Sequence, residues 1–190
     1  MKSLAHIVIP AMWLAWIAYW AVAARAVKQT QRSEDARSRL SYYGPLIAGA
    51  VIMAIPNILG SLLESPLVAS TPVWQGLEIA LVALGLGFAV WARVWLGRNW
   101  SSMVTVKQGH ELIRNGPYAL VRHPIYTGLS LALVGSALLL GNWRALIGLV
   151  LIVGSFLRKL RIEERFMAAE FGEAYARYSA QVPALIPFIV

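Results

Sequence analysis

The chain has 190 residues, of which 58% are hydrophobic and only 14% charged, with no cysteine and a net charge of +8. A soluble domain carries about 25% charged residues, so this balance, with a mean hydropathy of +0.62, points to a membrane protein. The missing cysteines exclude disulfides, thiolate metal sites and a cysteine nucleophile. The basic residues lie between apolar runs and no nucleic-acid-binding motif is present, so the charge is read as membrane topology and lipid attraction.

A bilayer core of about 30 Å takes about 20 apolar residues in a helix. Leu4 to Ala24 is a charge-free run of that length, too long for a signal-peptide core, and is read as a first span. Tyr42 to Leu63 is a second, with Pro45 near its start and Pro56 inside, where a kink is expected. Pro72 to Trp91 is the third; its single charge, Glu78, is read as an interfacial carboxylate. Ile125 to Leu140 and Ala145 to Leu157 follow, joined by Gly141-Asn142-Trp143-Arg144, a helix stop and tight turn that make a helical hairpin. The last run is short, so it either tilts or continues into Arg158-Lys159 with snorkelling side chains.

The expected fold is therefore an all-α, polytopic membrane helical bundle of about five transmembrane helices, a single domain over residues 1–190. Residues 1–92 hold three N-terminal spans; residues 93–190 hold the polar motifs, the hairpin and a tail. Fifteen of the seventeen Lys and Arg residues fall in 25–41, 93–124 and after Leu157; only Lys2 and Arg144 fall elsewhere. By the positive-inside rule those segments are cytoplasmic, with the N-terminus outside and the C-terminus inside. The composition is compatible with a bacterial inner membrane. The connection over 93–124 is long for a bundle loop, as functional loops are.

Two polar constellations abut the hairpin: KQGHELIRNGPYALVRHPIYTG, Lys107 to Gly128, before it, and RKLRIEERFMAAEFGEAYARY, Arg158 to Tyr178, after it. Singly, each residue has a structural reading: His110 as a solvated loop residue, Arg122 and Tyr126 as interfacial anchors, Pro124 as a first-turn proline, Glu163 and Glu164 as a charged helix face. A hairpin brings its own ends together, so Arg122, His123 and Tyr126 are expected near Lys159, Glu163 and Glu164. No GxSxG elbow, HExxH site, P-loop or GxGxxG is present, and the three histidines lack metal-ligand spacing. A pocket of Arg, His, Tyr, Lys and two carboxylates suits a zwitterionic ligand with an adenosine-like head.

The order and spacing of GHxLIxxGxY, RHPxYxG, a hairpin, EE, FGxxYxxY and VPxxxP, over roughly Asn99 to Phe188, resemble the isoprenylcysteine carboxyl methyltransferase family, membrane enzymes related to phospholipid methyltransferases. The resemblance implies S-adenosylmethionine as methyl donor, leaving S-adenosylhomocysteine as product. It implies a cytosol-side cofactor pocket of His110, Glu111, Leu112, Ile113, Tyr118, His123, Pro124, Ile125, Tyr126 and Glu163. Lys159 stands where the family has an arginine aimed at the substrate carboxylate, a cation without the bidentate fork. Lys159 and Glu164 are the candidate catalytic residues, Lys159 facing the acceptor and Glu164, or His110 in its place, the base for an amine or thiol acceptor that must first lose a proton. The expected partners are a lipophilic acceptor, isoprenylcysteine-carboxylate-like, and membrane lipids, without metal or nucleic acid. The alternatives are a phospholipid amine or small thiol as acceptor, a non-enzymatic membrane assembly protein, and a nicotinamide-dependent membrane reductase, the last disfavoured by chain length and span number.

Overall fold

A computed structural model describes residues 4–25, 30–67, 71–101, 105–107 and 111–187, the backbone alone for 30–33 and 105–107. The molecule is all-α but for one small ribbon. Its elements are α1 (Ala5–Ala23), β1 (Thr30–Ser33), α2 (Ala36–Ala54), α3 (Pro72–Leu96), β2 (Thr105–Lys107), α4 (Pro124–Leu140), α5 (Trp143–Phe171) and α6 (Glu173–Gln181). β1 and β2 pair antiparallel, with Arg32 opposite Val106 and Ser33 opposite Thr105. Among the described residues two helices are long and apolar enough to cross a membrane, Ala5–Ala23 and the run Pro72–Asn99; α4 is apolar but shorter.

Each apolar run becomes a helix, with shifted ends. The second was expected over Tyr42 to Leu63 with a kink at Pro56. Instead α2 starts at Ala36, because the Asp35 side chain caps it by accepting from the Ser38 N–H at 2.6 Å. It stops at Ala54: Ile55, just before Pro56, has φ −104° and ψ 111°, the extended conformation a following proline imposes. Pro56 thus ends the helix. The short fifth run resolves in favour of continuation, since α5 passes through Arg158-Lys159 to Phe171 without interruption. Glu78 is 2% exposed, buried within the helix packing of α3.

The packing is set by small residues. α4 lies mainly on α3, and α5 mainly on α2. At the α3–α4 crossing a Cβ on Gly85 would lie 2.4 Å from the Gly128 carbonyl oxygen, and one on Gly128 would lie 2.4 Å from the Gly85 carbonyl oxygen. Only glycine lets these backbones touch, as in other close membrane-helix pairs. Ala5 and Ile9 of α1 join Val82, Leu86 and Ala132 in a core cluster, and the Trp13 indole donates to Ser136 Oγ at 3.0 Å. The two hairpin helices therefore lean on different partners while sharing a tight turn. Gly141 ends α4 in the left-handed region (φ 60°, ψ 23°), and Asn142 caps α5 by accepting from Ala145 N–H at 3.0 Å.

Beside that turn, Arg144 is 3% exposed. Its Nη1 donates to the carbonyls of Ile52 and Met53, both at 2.6 Å, and its Nε lies 2.6 Å from Glu64. Glu64 also accepts from Asn142 at 2.8 Å and from the Asn57 N–H at 2.8 Å. The last carbonyls of α2, left open where Pro56 stops the helix, are thus capped by a cation from another helix. An arginine read as a topological charge is a structural lock.

Candidate functional site

At the other end of the bundle lies a cavity of about 330 Å³. Its polar wall comes from the turn before α4 and from α5. Pro124 occupies the first turn of α4, where its missing N–H costs nothing, and is fully buried. His123 precedes it with φ −122° and ψ 61°, short of the fully extended conformation expected before proline. On α5, Lys159 and Glu163 are one turn apart and share a face, with Nζ and Oε1 3.9 Å apart.

The two ends of the hairpin meet as the topology requires. Tyr126 Oη donates to Glu163 Oε1 at 2.6 Å. His123 Nδ1 lies 3.5 Å from Glu163 Oε2, and Nε2 lies 3.3 Å from Glu164 Oε1. A neutral imidazole has one N–H, whereas two carboxylates on two ring nitrogens call for the imidazolium. Burial opposes that charge, but the hydrogen bonds and charges of Glu163 and Glu164 outweigh it and raise the His123 pKa. Burial likewise opposes ionisation of Glu163, yet His123, Lys159 and Tyr126 hold its pKa below the usual carboxylate range. Glu164, against the same burial cost, is brought down to about 2 by His123 and Arg122. The rings of His123, Tyr126 and Phe156 stack in series, with centroids 5.8 and 5.2 Å apart. The Lys159 ammonium lies over Tyr42 and Tyr126 at 5.3 and 5.9 Å.

Arg122 does different work from its neighbour. Its guanidinium grips Glu164 through Nη2 at 2.6 Å and Nε at 2.8 Å, and donates to the carbonyls of Ser179 and Val182. Its backbone N–H and that of His123 donate to Pro183 and Ala184 carbonyls at 2.8 and 3.0 Å, and Thr127 Oγ1 donates to Leu185 O at 2.6 Å. The segment after α6 is therefore a strap across the Arg-His-Pro turn. Those backbone N–H groups are spent on the strap.

Of the residues expected at a site, Glu111, Leu112, Ile113, Tyr118, His123, Ile125, Tyr126, Lys159 and Glu163 line the cavity. Glu164 and Pro124 do not; they hold the residues that do. His110 lies outside the described residues. Sequence reasoning missed the facing wall, where Trp16 and Trp20 of α1, Tyr43 and Leu46 of α2, and Trp100 line the same cavity. The recurrence of Trp13, Trp16 and Trp20 at intervals of three and four was the available signal, one aromatic stripe on the first helix. Arg93 was also missed. It is 4% exposed, donates to Gly97 O at 2.7 Å and to Ala23 O at 2.5 Å, and lies 4.7 Å from the Trp100 ring centre, clamping α1 and Trp100 to the end of α3.

Comparison with known proteins meets this geometry. Residues 78–169 match the isoprenylcysteine carboxyl methyltransferase family. A protein-S-isoprenylcysteine O-methyltransferase of Schizosaccharomyces pombe is 32% identical over 120 residues, covering 62% of this chain and 51% of the relative. The B form from Arabidopsis thaliana is 27% identical over 114 residues, covering 58% of each chain. The solved structure of the eukaryotic intramembrane Ras methyltransferase, isoprenylcysteine carboxyl methyltransferase, superposes with a TM-score of 0.54 at 25% identity, covering 78% of this chain and 53% of that one. The chain thus spans just over half the length of the curated relatives it matches. The turn before α4 and the stretch of α5 that build the cavity's polar wall lie within the residues that match the isoprenylcysteine carboxyl methyltransferase family.

Proposed function

We propose that this protein is an integral-membrane methyltransferase that moves a methyl group from S-adenosylmethionine to a lipophilic acceptor of the isoprenylcysteine-carboxylate type, at the cytosolic membrane face. One observation carries the reading: a single cavity is lined both by charged residues, Lys159, Glu163 and His123, and by the tryptophans Trp16, Trp20 and Trp100. Such a site takes one polar and one greasy ligand. The family match, residues 78–169, spans the stretch that builds the charged wall, and the similar proteins are named as O-methyltransferases of S-isoprenylcysteine.

The residues present fit the cofactor. Glu111 and Glu163 are carboxylate acceptors for an ammonium or a ribose diol, while Leu112, Ile113 and Tyr118 offer apolar and aromatic surface for a purine. When bound, S-adenosylmethionine supplies a methyl on an already activated sulfonium leaving group. The chain's contribution is alignment and exclusion of water. Glu163, fixed by Tyr126 and His123, holds the cofactor. Lys159 faces the acceptor and orients its carboxylate, a nucleophile that brings its own electron pair and needs no general base. Glu164, clasped by Arg122 and His123 outside the cavity, positions His123. The aromatic wall receives the lipid part of the acceptor. Domain boundaries follow from this reading: residues 93–190 form the catalytic half and residues 1–92 the membrane scaffold, with the C-terminus cytosolic.

The test is transfer of labelled methyl, by purified protein, to an S-prenylated cysteine with a free carboxylate, beside the same compound as its amide. Base-labile product from the acid alone supports O-methylation. Equal labelling of acid and amide, or labelling of a phospholipid amine or small thiol in its place, replaces the acceptor class.

A further inference from the structure

On the other side of α5 from the cofactor cavity lies a second concavity of about 630 Å³, between the start of α2 and the middle of α5. Arg158, Ile162, Arg165 and Ala169 line it, four positions spaced by three and four that form one helix face. Lys159, Glu163 and Met167 face the first cavity, and Phe166 lines both. From α2 come Arg37, Ser38 and Ser41, with Arg158 Nε 3.3 Å from Ser41 Oγ. Two carboxylates also line the groove. Glu34 is 5% exposed and accepts from Tyr42 Oη and Ser38 Oγ; Asp35 caps α2. Arg37, Arg158 and Arg165 make no ion pair among the described residues.

Three exposed guanidiniums around a hollow with hydroxyls favour a phosphate, which they contact with planar, forked donors. A second observation selects the kind of phosphate. Along the same two helices, away from the groove, runs exposed apolar surface: Leu40 at 71%, Ile47 at 59% and Val51 at 37% on α2, with Val150 at 61% and Leu157 at 37% on α5. Large apolar residues this exposed along two packed helices need an apolar neighbour. We propose that this groove seats the headgroup phosphate of an anionic membrane phospholipid, held chiefly by Arg158 and Arg165, with its acyl chains along α2 and α5. The site is separate from the cofactor cavity and rests only on the membrane reading of the chain.

The test places full-length protein in bilayer discs of phosphatidylcholine and titrates in phosphatidylglycerol, counting retained lipid by native mass spectrometry. Arg158→Ala/Arg165→Ala should lower apparent affinity for phosphatidylglycerol about thirtyfold, given roughly 1 kcal/mol per basic residue near an anionic surface. Arg161→Ala/Arg177→Ala removes the same charge outside the groove and should leave affinity within twofold. Equal losses in the two double variants, or none in the first, would overturn the site and reduce these arginines to general surface charge. Competition by soluble glycerophosphoglycerol at concentrations comparable to the lipid would overturn the lipid as occupant in favour of a free phosphate ester. Failure of the unaltered protein to enter neutral discs would instead strike the membrane reading itself, an outcome separate from the others.

Discussion

Both ends of the bundle are organised by an arginine gripping a glutamate, and they do opposite things with it. At the hairpin turn, Arg144 and Asn142 both bind Glu64, and Arg144 binds the Ile52 and Met53 carbonyls at the end of α2. At the other end, Arg122 and Glu164 form a similar clasp, but one that leaves His123, Glu163 and Lys159 facing a cavity. The difference lies in where the charges are spent. Arg144 closes on its own scaffold, whereas Arg122 closes on the strap and on Glu164, so that the neighbouring residues stay poised for a ligand. A charge-rich helix end becomes a site when the scaffold's own needs are met by other residues.

The comparison breaks most visibly at the lock. Arg144→Ala strands Glu64 and two helix-terminal carbonyls, and removing one partner of a buried pair costs about 3–5 kcal/mol. A large drop in thermal stability is expected, with the affinity of the surviving folded fraction for S-adenosylhomocysteine unchanged. Glu163→Gln should behave the other way: near-normal stability and affinity for S-adenosylhomocysteine weakened about tenfold, as for loss of one charge-assisted hydrogen bond. Equal affinity by calorimetry would remove Glu163 from the site. Lys159→Ala should lower turnover more than cofactor affinity, and Lys159→Arg should restore most of it; equal losses in both quantities would move Lys159 into the cofactor pocket.

The smallest effect expected is in pH. Glu164 has a folded pKa of about 2 against an ordinary 4.5. Its clasp therefore stabilises fully above 4.5 and is lost as pH falls toward 2. His123 is raised above its ordinary 6.5, so its contribution is complete below 6.5 and is lost as pH rises through the raised value. Stability from this end should be greatest between those limits, and His123→Gln should flatten the alkaline side and shrink the acid side, where Arg122 still holds Glu164. An unchanged alkaline limb in that variant would assign it to another group.

Much of the site was legible because it is local. The Arg-His-Pro turn and the paired glutamates bracket one hairpin, and a hairpin's connectivity alone brings Tyr126 to Glu163. The stops were less legible. Pro56 was read as a kink, and only tertiary capping by Arg144 shows why the chain can end a helix there. The strap was not foreseen, because carbonyls of Pro183, Ala184 and Leu185 carry no side-chain signature. Nor was the aromatic wall: Trp16 and Trp20 read as generic membrane residues until α1 is set beside the end of α3 by Arg93. Residues far apart in sequence that meet through burial leave only weak periodic traces, such as the tryptophan stripe.

The most direct measurement is calorimetric titration of the purified, detergent-solubilised protein with S-adenosylhomocysteine, beside NADPH. Saturable binding of S-adenosylhomocysteine, lost in Glu163→Gln, with none of NADPH, is the expected result. Binding of NADPH alone, or of neither by protein shown to be folded, would contradict the proposal that this cavity is the cofactor site of a methyltransferase.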